Sequence, residues 1–291
     1  MSKKKIIFIL NPISGTGKQK NAIPLIDQYL DQTKYDYQII QTEYAGHAKE
    51  IAQDAVDKAD IVIAIGGDGT INESFQALVN TDVIFGIIPC GSGNGLARFL
   101  KIPIKIKEAI ATINKANSLK IDSCTVNNTP FLSIAGVGFD AYIAKKFDEA
   151  KFRGLFSYLN QIVRSYSKYQ EKDFVIRIDN QELNRKAFLI SFANSDQFGN
   201  NAIIAPQAVI NDGELEVCIV RKIPFIGLPR LAYQVFNRNI QKSNYYHSLR
   251  AGDFTIRHEN DLIVNIDGEP VHMGKEIHIK TYPKSIKMIV P

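Results

Sequence analysis

The sequence predicts two domains, an α/β domain followed by an antiparallel β-sandwich. In residues 5–88 short apolar runs alternate with amphipathic stretches of about ten residues, which is typical of parallel βαβ units. After residue 122 the pattern changes to short β-branched or alternating runs joined by turns, which is typical of a sandwich. The 291-residue chain is also long enough for two domains, since a single core rarely grows past roughly 250–300 residues. We predict domains at 1–122 and 123–284, with 285–291 returning to the first domain as a strand.

The elements of the first domain follow from this alternation. Predicted strands cover 5–10, 35–42, 60–65 and 83–88, and predicted helices cover 18–32, 46–58 and 70–79. Because ligands of such sheets bind beyond the carboxyl ends of the strands, we expect the three loops that follow strand ends to share one edge. These loops are residues 11–17, 66–70 and 89–94.

The second domain is read from short runs separated by turn residues. Helical stretches near 141–170 and 224–241 interrupt the strands. Dipeptides such as Asp179-Asn180 and Asp212-Gly213 supply the turns. The predicted strands are 123–127, 130–136, 173–179, 186–193, 214–221, 253–257, 261–267 and 275–280.

Composition and charge limit which partners and which cellular location are expected for the protein. The net charge of +5 favours an anionic partner such as a nucleotide or an acidic membrane surface, although a solvated basic surface gives the same balance. Three widely spaced cysteines indicate reduced thiols and a cytoplasmic location. No segment approaches the roughly 20 apolar residues that span a bilayer, so membrane components would be reached from the surface.

The loop after the third predicted strand combines glycines with a carboxylate. Gly66 and Gly67 let the backbone approach a ligand closely, and N–H groups at a strand-to-helix turn bind anions. Asp68 adds a negative charge that phosphate alone would not favour, but that a cation or a reacting hydroxyl would. A tight turn with an Asp cap is the alternative. The coincidence of strand, glycines, acid and helix start favours a phosphate site.

The other two loops offer similar groups at neighbouring strand ends. Asn11 and Ser14 lie in a loop whose amides and hydroxyls could hold a terminal phosphate, although its spacing is not that of a Walker loop. Gly91 and Ser92 lie in a glycine-rich loop suited to ribose or phosphate contacts, and Thr42 ends a strand where it could contact a base or sugar. Each is equally a structural turn when taken alone, but three such loops favour one site.

Two acidic turns stand out in the second half. Asp212, with neighbouring main-chain carbonyls, provides the oxygen ligands that suit Mg²⁺. Asp267-Gly268-Glu269 places two carboxylates around a glycine after an apolar strand, where a general base for an alcohol could stand. Both turns are also consistent with simple hairpins.

Taken together, these motifs resemble the diacylglycerol kinase catalytic-domain family, which holds bacterial soluble lipid kinases with sphingosine and ceramide kinases. The resemblance implies an α/β nucleotide domain, a β-sandwich lipid domain, and transfer of the γ-phosphate of ATP to a lipid hydroxyl in the inter-domain cleft. The matching stretches, in family order, are Asn11-Pro12-x-Ser14-Gly15, Gly66-Gly67-Asp68-Gly69-Thr70-Ile71-Asn72-Glu73, Pro89-x-Gly91-Ser92-Gly93-Asn94, Gly136-x-Gly138-x-Asp140-Ala141, Asp212-Gly213 and Asp267-Gly268-Glu269.

The resemblance also assigns roles to residues. Glu269 would accept the proton of the acceptor hydroxyl, and Asp68 would lie beside the transferring phosphate. Asp140 would lie near the lipid head group. The residues that would contact ATP are Asn11, Ser14, Thr42, Gly66, Gly67, Asp68, Gly69, Thr70, Ile71, Asn72, Gly91 and Ser92, and those that would bind Mg²⁺ are Asp212 and the carbonyls of Val209 and Glu214.

The acceptor lipid stays open at this stage. Ser92-Gly93-Asn94-Gly95 stands where many bacterial diacylglycerol kinases carry Thr-x-Asn-Asp, and the form found here is more similar to sphingosine kinases. Diacylglycerol, which would give phosphatidic acid, and a sphingoid-like lipid are both expected candidates. A NAD kinase shares the Gly-Gly-Asp-Gly turn, and a non-catalytic nucleotide- or lipid-binding protein could keep the fold. The Asn-Pro-x-Ser-Gly start and the second acidic turn favour the lipid kinase.

The expected partner is lipid at the inner face of a membrane, and no nucleic acid. Residues 145–158 mix Phe and Tyr with Lys and Arg, which suits a peripheral docking segment, although a helix packed on the sandwich would show the same pattern. The sequence leaves open whether the protein forms a homodimer.

Overall fold

The computed structural model describes residues 2–14, 17–148 and 163–291. The chain divides into two compact units, which we call unit 1 (Met1–Ser123 with Pro283–Pro291) and unit 2 (Cys124–Tyr282). Most of the predicted docking segment at 145–158 lies outside the described residues. Within the described part of the chain, no helix is long and apolar enough to cross a membrane.

Unit 1 is an α/β domain built on a parallel sheet. The strand order is β2-β1-β3-β4, and the end of β16 pairs in parallel with β4 through Lys287 and Met288. Every residue of β3 and β4 is buried, as expected for strands covered by helices on both faces. The elements are β1 (Lys4–Leu10), α1 (Ala22–Tyr29), β2 (Tyr35–Gln41), α2 (His47–Ala55), β3 (Ile61–Gly66), α3 (Asp68–Gln76), β4 (Ile84–Pro89), α4 (Gly95–Phe99) and α5 (Ile106–Lys115).

Unit 2 is a sandwich of two antiparallel sheets. One sheet has the order β16-β13-β8-β9, and the other has the order β12-β11-β10-β7-β14-β15. The elements are β5 (Ser118–Val126), β6 (Thr129–Phe131), β7 (Ile134–Gly138), α6 (Phe139–Asp148), β8 (Lys172–Ile178), β9 (Gln181–Ala187), β10 (Leu189–Ala193), β11 (Leu215–Val220), α7 (Leu228–Phe236), β12 (Tyr246–Ala251), β13 (Asp253–Arg257), β14 (Leu262–Ile266), β15 (Glu269–Met273) and β16 (Glu276–Ile289). Strand β5 begins in unit 1 and strand β16 ends there.

The core of unit 2 lies between its sheets. Phe174 and Phe254 from the first sheet pack in the same cluster as Val137, Phe192 and Val217 from the second. The predicted fold class, an α/β domain with an antiparallel sandwich, is therefore confirmed. Strands β9, β12 and β15 were not predicted as separate strands, because they are partly exposed and carry polar side chains that hide the alternation.

Candidate active site

The turn after β3 is shaped by glycines that leave room for neighbouring groups. A Cβ atom on Gly66 would lie 2.5 Å from the hydroxyl of Thr70, so this hydroxyl occupies the place of a side chain. Gly67 precedes α3 and has an extended backbone (φ −92°, ψ −173°). Any residue can adopt these angles, so they do not explain why this position is a glycine. The turn therefore brings the start of α3 directly against the end of β3.

The third loop packs backbone to backbone against this turn. A Cβ atom on Gly91 would lie only 2.7 Å from the Cα atom of Gly67, an approach that only glycine allows. The preceding amide, that of Cys90, donates a hydrogen bond to the carbonyl of Gly66 at 2.8 Å. Burial raises the pKa of the Cys90 thiol to about 11 and keeps it protonated at neutral pH.

Asp68 holds these two loops together. Its carboxylate accepts hydrogen bonds from the backbone N–H groups of Asn94 (3.0 Å) and Gly95 (3.2 Å), at the start of α4. Asn94, in the left-handed conformation (φ 51°), fixes the same loop by accepting from the Gly91 amide and donating to the Gly91 carbonyl. This clasp joins residues that lie more than twenty positions apart, and the sequence analysis did not predict it.

The first loop joins the same group of residues. The side-chain amide of Asn11 donates to the Thr70 hydroxyl at 3.1 Å, while its oxygen accepts from the Ile13 amide. The Ser14 hydroxyl donates to the Asn11 carbonyl at 3.0 Å. The side chain of Ile13 is 91% exposed at the tip of the loop. The structure thus brings the three predicted loops together at one edge of the unit 1 sheet.

The remaining residues that were predicted to contact the nucleotide differ in how far they are exposed to solvent. Thr42 is buried, and its amide donates to Leu10 beside the first loop. Ile71 is 3% exposed and faces the core, while Asn72 is buried and accepts a hydrogen bond from Gln76. Ser92 is exposed, and Gly69 is partly exposed. Ile71 and Asn72 therefore stabilise α3, and direct ligand contacts from their side chains stay a prediction.

In unit 2, Asp267 forms a second clasp. Asp267 (φ 47°) and Gly268 (φ 100°) make the two-residue turn between β14 and β15, with left-handed angles at both positions. The Asp267 carboxylate accepts from the backbone N–H groups of Leu132, Ser133 and Ile134 at 2.9–3.0 Å. This aspartate therefore anchors the start of β7.

Glu269, the predicted proton acceptor, begins β15 directly after this clasp. Its side chain is exposed, opposite Ile266 of β14. The rigid turn fixes the backbone of Glu269 while leaving the side chain accessible to solvent. Its catalytic role stays a prediction.

Asp140 lies at the start of α6, fully buried above β7. A Cβ atom on Gly136 would lie 2.5 Å from its carboxylate, so the glycine creates its space. Neither carboxylate oxygen has a hydrogen-bond partner with good geometry. Burial raises the pKa of Asp140 to about 7, and the Ala141 amide and the Asn265 side chain offset this only in part.

Two further polar side chains surround Asp140. Ser191 of β10 and Asn265 of β14 both lie directly opposite Gly136, so they share its face of the sheet. The hydroxyl of Ser191 is buried without a hydrogen-bond partner. Neither residue carries a local sequence signal for this site, because only strand register brings them together. We call Asp140, Ser191 and Asn265 the polar pocket.

The predicted Mg²⁺ ligands lie at the turn before β11. Asp212 accepts a hydrogen bond from the Glu214 amide, and its carboxylate forms an ion pair with Arg250, which also pairs with Glu214 at 3.1 Å. In the described parts of the chain, no group of three His, Cys, Asp or Glu side chains could hold a metal. The Arg250 guanidinium occupies the place that a cation would take, so these side chains as arranged do not fit Mg²⁺. Metal binding by Val209, Asp212 and Glu214 stays a prediction.

Comparison with known proteins agrees with this arrangement. Residues 5–126 match the model of the diacylglycerol kinase catalytic domain, and residues 133–290 match the YegS C-terminal NAD kinase beta sandwich-like domain. The chain belongs to the YegS-like lipid kinase family. A protein from Escherichia fergusonii, named probable lipid kinase YegS, is 32% identical over 79% of this chain and 78% of its own length.

Other members of the YegS-like lipid kinase family match over similar lengths. A probable lipid kinase YegS-like from Yersinia enterocolitica is 30% identical over 84% of each chain. A crystal structure of a diacylglycerol kinase from Bacillus anthracis strain Sterne has the same fold (TM-score 0.78, 22% identity, 100% of this chain and 98% of the other). The two domain models and the relatives that are 30–32% identical confirm the predicted resemblance to the family.

Proposed function

We propose that this protein transfers the γ-phosphate of ATP to a hydroxyl group of a lipid, either a diacylglycerol or a sphingoid-like lipid. Family membership supports a lipid kinase. The observation that carries the nucleotide half of the proposal is the contact between the glycine backbones of Gly67 and Gly91, clasped by Asp68.

This contact supports a phosphate site for a physical reason. The first turn of α3 follows directly on Gly67, and the N–H groups of Gly69 and Thr70 there have no partner within the helix, so the helix dipole favours negative charge at this point. Phosphoryl transfer depends mainly on positioning and on neutralising phosphate charge. A loop cluster held by Asp68 and Asn11 is fixed before ATP arrives, which reduces the entropic cost of binding.

The polar pocket supports the acceptor half. A carboxyl group with a pKa of about 7 is partly protonated at neutral pH, so Asp140 can either donate a hydrogen bond to a lipid hydroxyl or accept one. The Ser191 hydroxyl offers a second partner. Buried polar groups without partners are costly, and a polar head group would satisfy them.

In the reaction we propose, the acceptor hydroxyl oxygen attacks the γ-phosphorus, and the bond to the bridging oxygen of ADP breaks. Glu269 accepts the hydroxyl proton, which its exposed position at the start of β15 allows. Mg²⁺ bound with ATP would neutralise the phosphate oxygens. Asp212 would contribute to such a site only after releasing Arg250.

The test is a transfer assay with γ-labelled ATP and a panel of acceptors in detergent micelles: diacylglycerol, sphingosine, ceramide, and NAD⁺ as a soluble control. We expect label in one lipid class and none in NAD⁺. Label only in NAD⁺ would indicate a NAD kinase, and ATP binding without transfer to any acceptor would indicate a binding protein. Either result contradicts the proposal.

A further inference from the structure

Helix α7 and the turn before it form an exposed apolar surface on unit 2. Four of the eleven large apolar side chains that are exposed in the described residues lie within twelve positions here, and single scattered ones are the normal case. We call this the α7 surface. Its exposed apolar side chains are Phe225 (58%), Ile226 (94%), Tyr233 (66%) and Phe236 (58%).

The helix is apolar on both sides, which a helix lying on a sandwich does not need. Leu231 and Val235 pack inward against the cluster that contains Ile134, Cys218 and Val220. Tyr233 and Phe236 point away from that cluster and stay exposed, whereas the polar Gln234 is buried. A helix that packs on a sandwich with one face ordinarily carries polar side chains on the other face. The exposed Tyr233 and Phe236 depart from that pattern, which indicates a further partner for the outward face of α7.

The charges around this surface identify what covers it. Between Glu216 and Asp253 the chain carries six Lys or Arg and no Asp or Glu. Arg221 and Arg238 are partly neutralised by Glu171 and Asp196 from neighbouring segments. Within the described ranges, Arg230 and Lys242 form no ion pair.

Arg230 and Lys242 also share a small cleft. The cleft holds about 150 Å³ and lies between α7 and the segment that follows it, with Ser243 and Asn244 in its wall. Two cations with polar neighbours at the edge of an apolar patch match a layer of phosphate groups above hydrocarbon. A second copy of the chain would instead bring like charges together across a symmetric contact.

We propose that the α7 surface docks on a membrane rich in anionic phospholipid, with Phe225 and Ile226 inserted into the interface and Arg230 and Lys242 among the phosphates. This rests on the proposed function, since a kinase for a bilayer lipid must reach the bilayer. Four exposed aromatic or aliphatic side chains and a few cations give reversible binding that weakens with added salt.

The experiment is co-sedimentation with vesicles of phosphatidylcholine alone or mixed with phosphatidylglycerol. We expect binding to the mixed vesicles, at least tenfold weaker binding to phosphatidylcholine, and at least tenfold loss on Ile226→Glu or Arg230→Glu. Tyr282→Ser and Lys275→Glu are the matched controls, since Tyr282 is 38% exposed on β16 and Lys275 is an exposed cation, both elsewhere on unit 2. The controls should bind as the unchanged protein does.

Each variant is also assayed on a lipid acceptor dispersed in detergent, where transfer should stay unchanged. Loss of vesicle binding with intact transfer in detergent separates docking from catalysis. No transfer to any lipid would contradict the proposed function, whatever the vesicle result. Equal binding by the variants and the unchanged protein, or by none of them, would overturn the docking proposal. So would a dimer that Ile226→Glu dissociates, because the surface would then join two copies.

Discussion

Each unit has a glycine turn in which an aspartate holds a distant segment of the chain through backbone hydrogen bonds, but the two turns differ in which residues carry the other proposed roles. In unit 1 the Asp68 carboxylate binds two backbone N–H groups of the third loop, and in unit 2 the Asp267 carboxylate binds three at the start of β7. In unit 2 the clasp and the proposed proton acceptor are separate residues, Asp267 and Glu269. In unit 1 a single residue, Asp68, both forms the clasp and is expected to lie beside the transferring phosphate. In both turns, therefore, the carboxylate has a structural role as an acceptor of backbone hydrogen bonds, whatever part it takes in catalysis.

The largest effect should come from the proposed proton acceptor. Glu269→Gln removes it, and we expect turnover to fall by about 10²–10⁴-fold, the usual contribution of a general base. Because the side chain is exposed and Gln has the same size, the free energy of unfolding should change by less than about 0.5 kcal/mol. Transfer from labelled ATP and thermal unfolding measure the two effects. Glu276→Gln, at another exposed glutamate of unit 2, is the control, and equal rates in both variants would reject the assignment.

Asp267→Ala should act on stability. Removing three hydrogen bonds to a charged acceptor is expected to lower the free energy of unfolding by about 2–4 kcal/mol. Asp267→Asn keeps one acceptor oxygen and should fall in between. Urea unfolding measures both, with Asp261→Ala, at an exposed position just before β14, as the control. An unchanged midpoint in Asp267→Ala would break the comparison between the turns.

Asp68→Asn should combine both effects at smaller size. We expect about a 100-fold fall in turnover, because the loop that positions the phosphates loses part of its anchoring and a misplacement of about 1 Å costs about that much. We also expect a loss of about 1–2 kcal/mol in stability, because the amide keeps one acceptor oxygen and its NH2 group cannot accept the second backbone N–H. Saturating-ATP kinetics and urea unfolding test this, with Asp82→Asn, at an exposed position of unit 1, for reference. Lost stability with full turnover would make Asp68 a clasp only, as Asp267 is.

The last prediction concerns the pH dependence of stability that Asp140 causes. Burial raises the pKa of this carboxyl from 3.8 to about 7, so between these values the folded protein holds a proton that the unfolded chain has lost. Stability should therefore decrease as pH rises from about 4 to 7, by at most about 1.4 kcal/mol per pH unit. Asp140→Asn should remove this contribution. Urea unfolding across the range measures the slope, and parallel slopes in both proteins would contradict a buried, protonated Asp140.

The sequence predicted the turns more fully than the contacts they make. The apolar run ending in Gly66 predicted a buried strand, and Asp-Gly predicted the hairpin at Asp267, because both are local patterns. The partners of Asp267 lie more than 130 positions earlier in the chain, so no local pattern could reveal them. The glycines of the 66–70 turn were read as ligand-binding, whereas Gly66 is also required by Thr70.

The polar pocket shows the same limit. Asp140 was predicted through its motif, but Ser191 and Asn265 are joined to it only by the register of β10, β7 and β14. Register depends on which strands pair, and one sequence does not state that pairing. The α7 surface was missed for a different reason: the pattern predicted a helix at 224–241, but which face would be covered follows only from the packing of Leu231 and Val235.

The position of the long strand β16 in the chain determines when unit 1 can be completed during synthesis. Its final residues, including the buried Met288 and Ile289, complete the parallel sheet of unit 1 beside β4. All of unit 2 lies between those residues and the rest of unit 1 in the chain. A ribosome therefore delivers the last strand of unit 1 only after unit 2 has been synthesised. Until then the edge of β4 that pairs with β16 is open, and removing residues back from 291 disrupts unit 1 first.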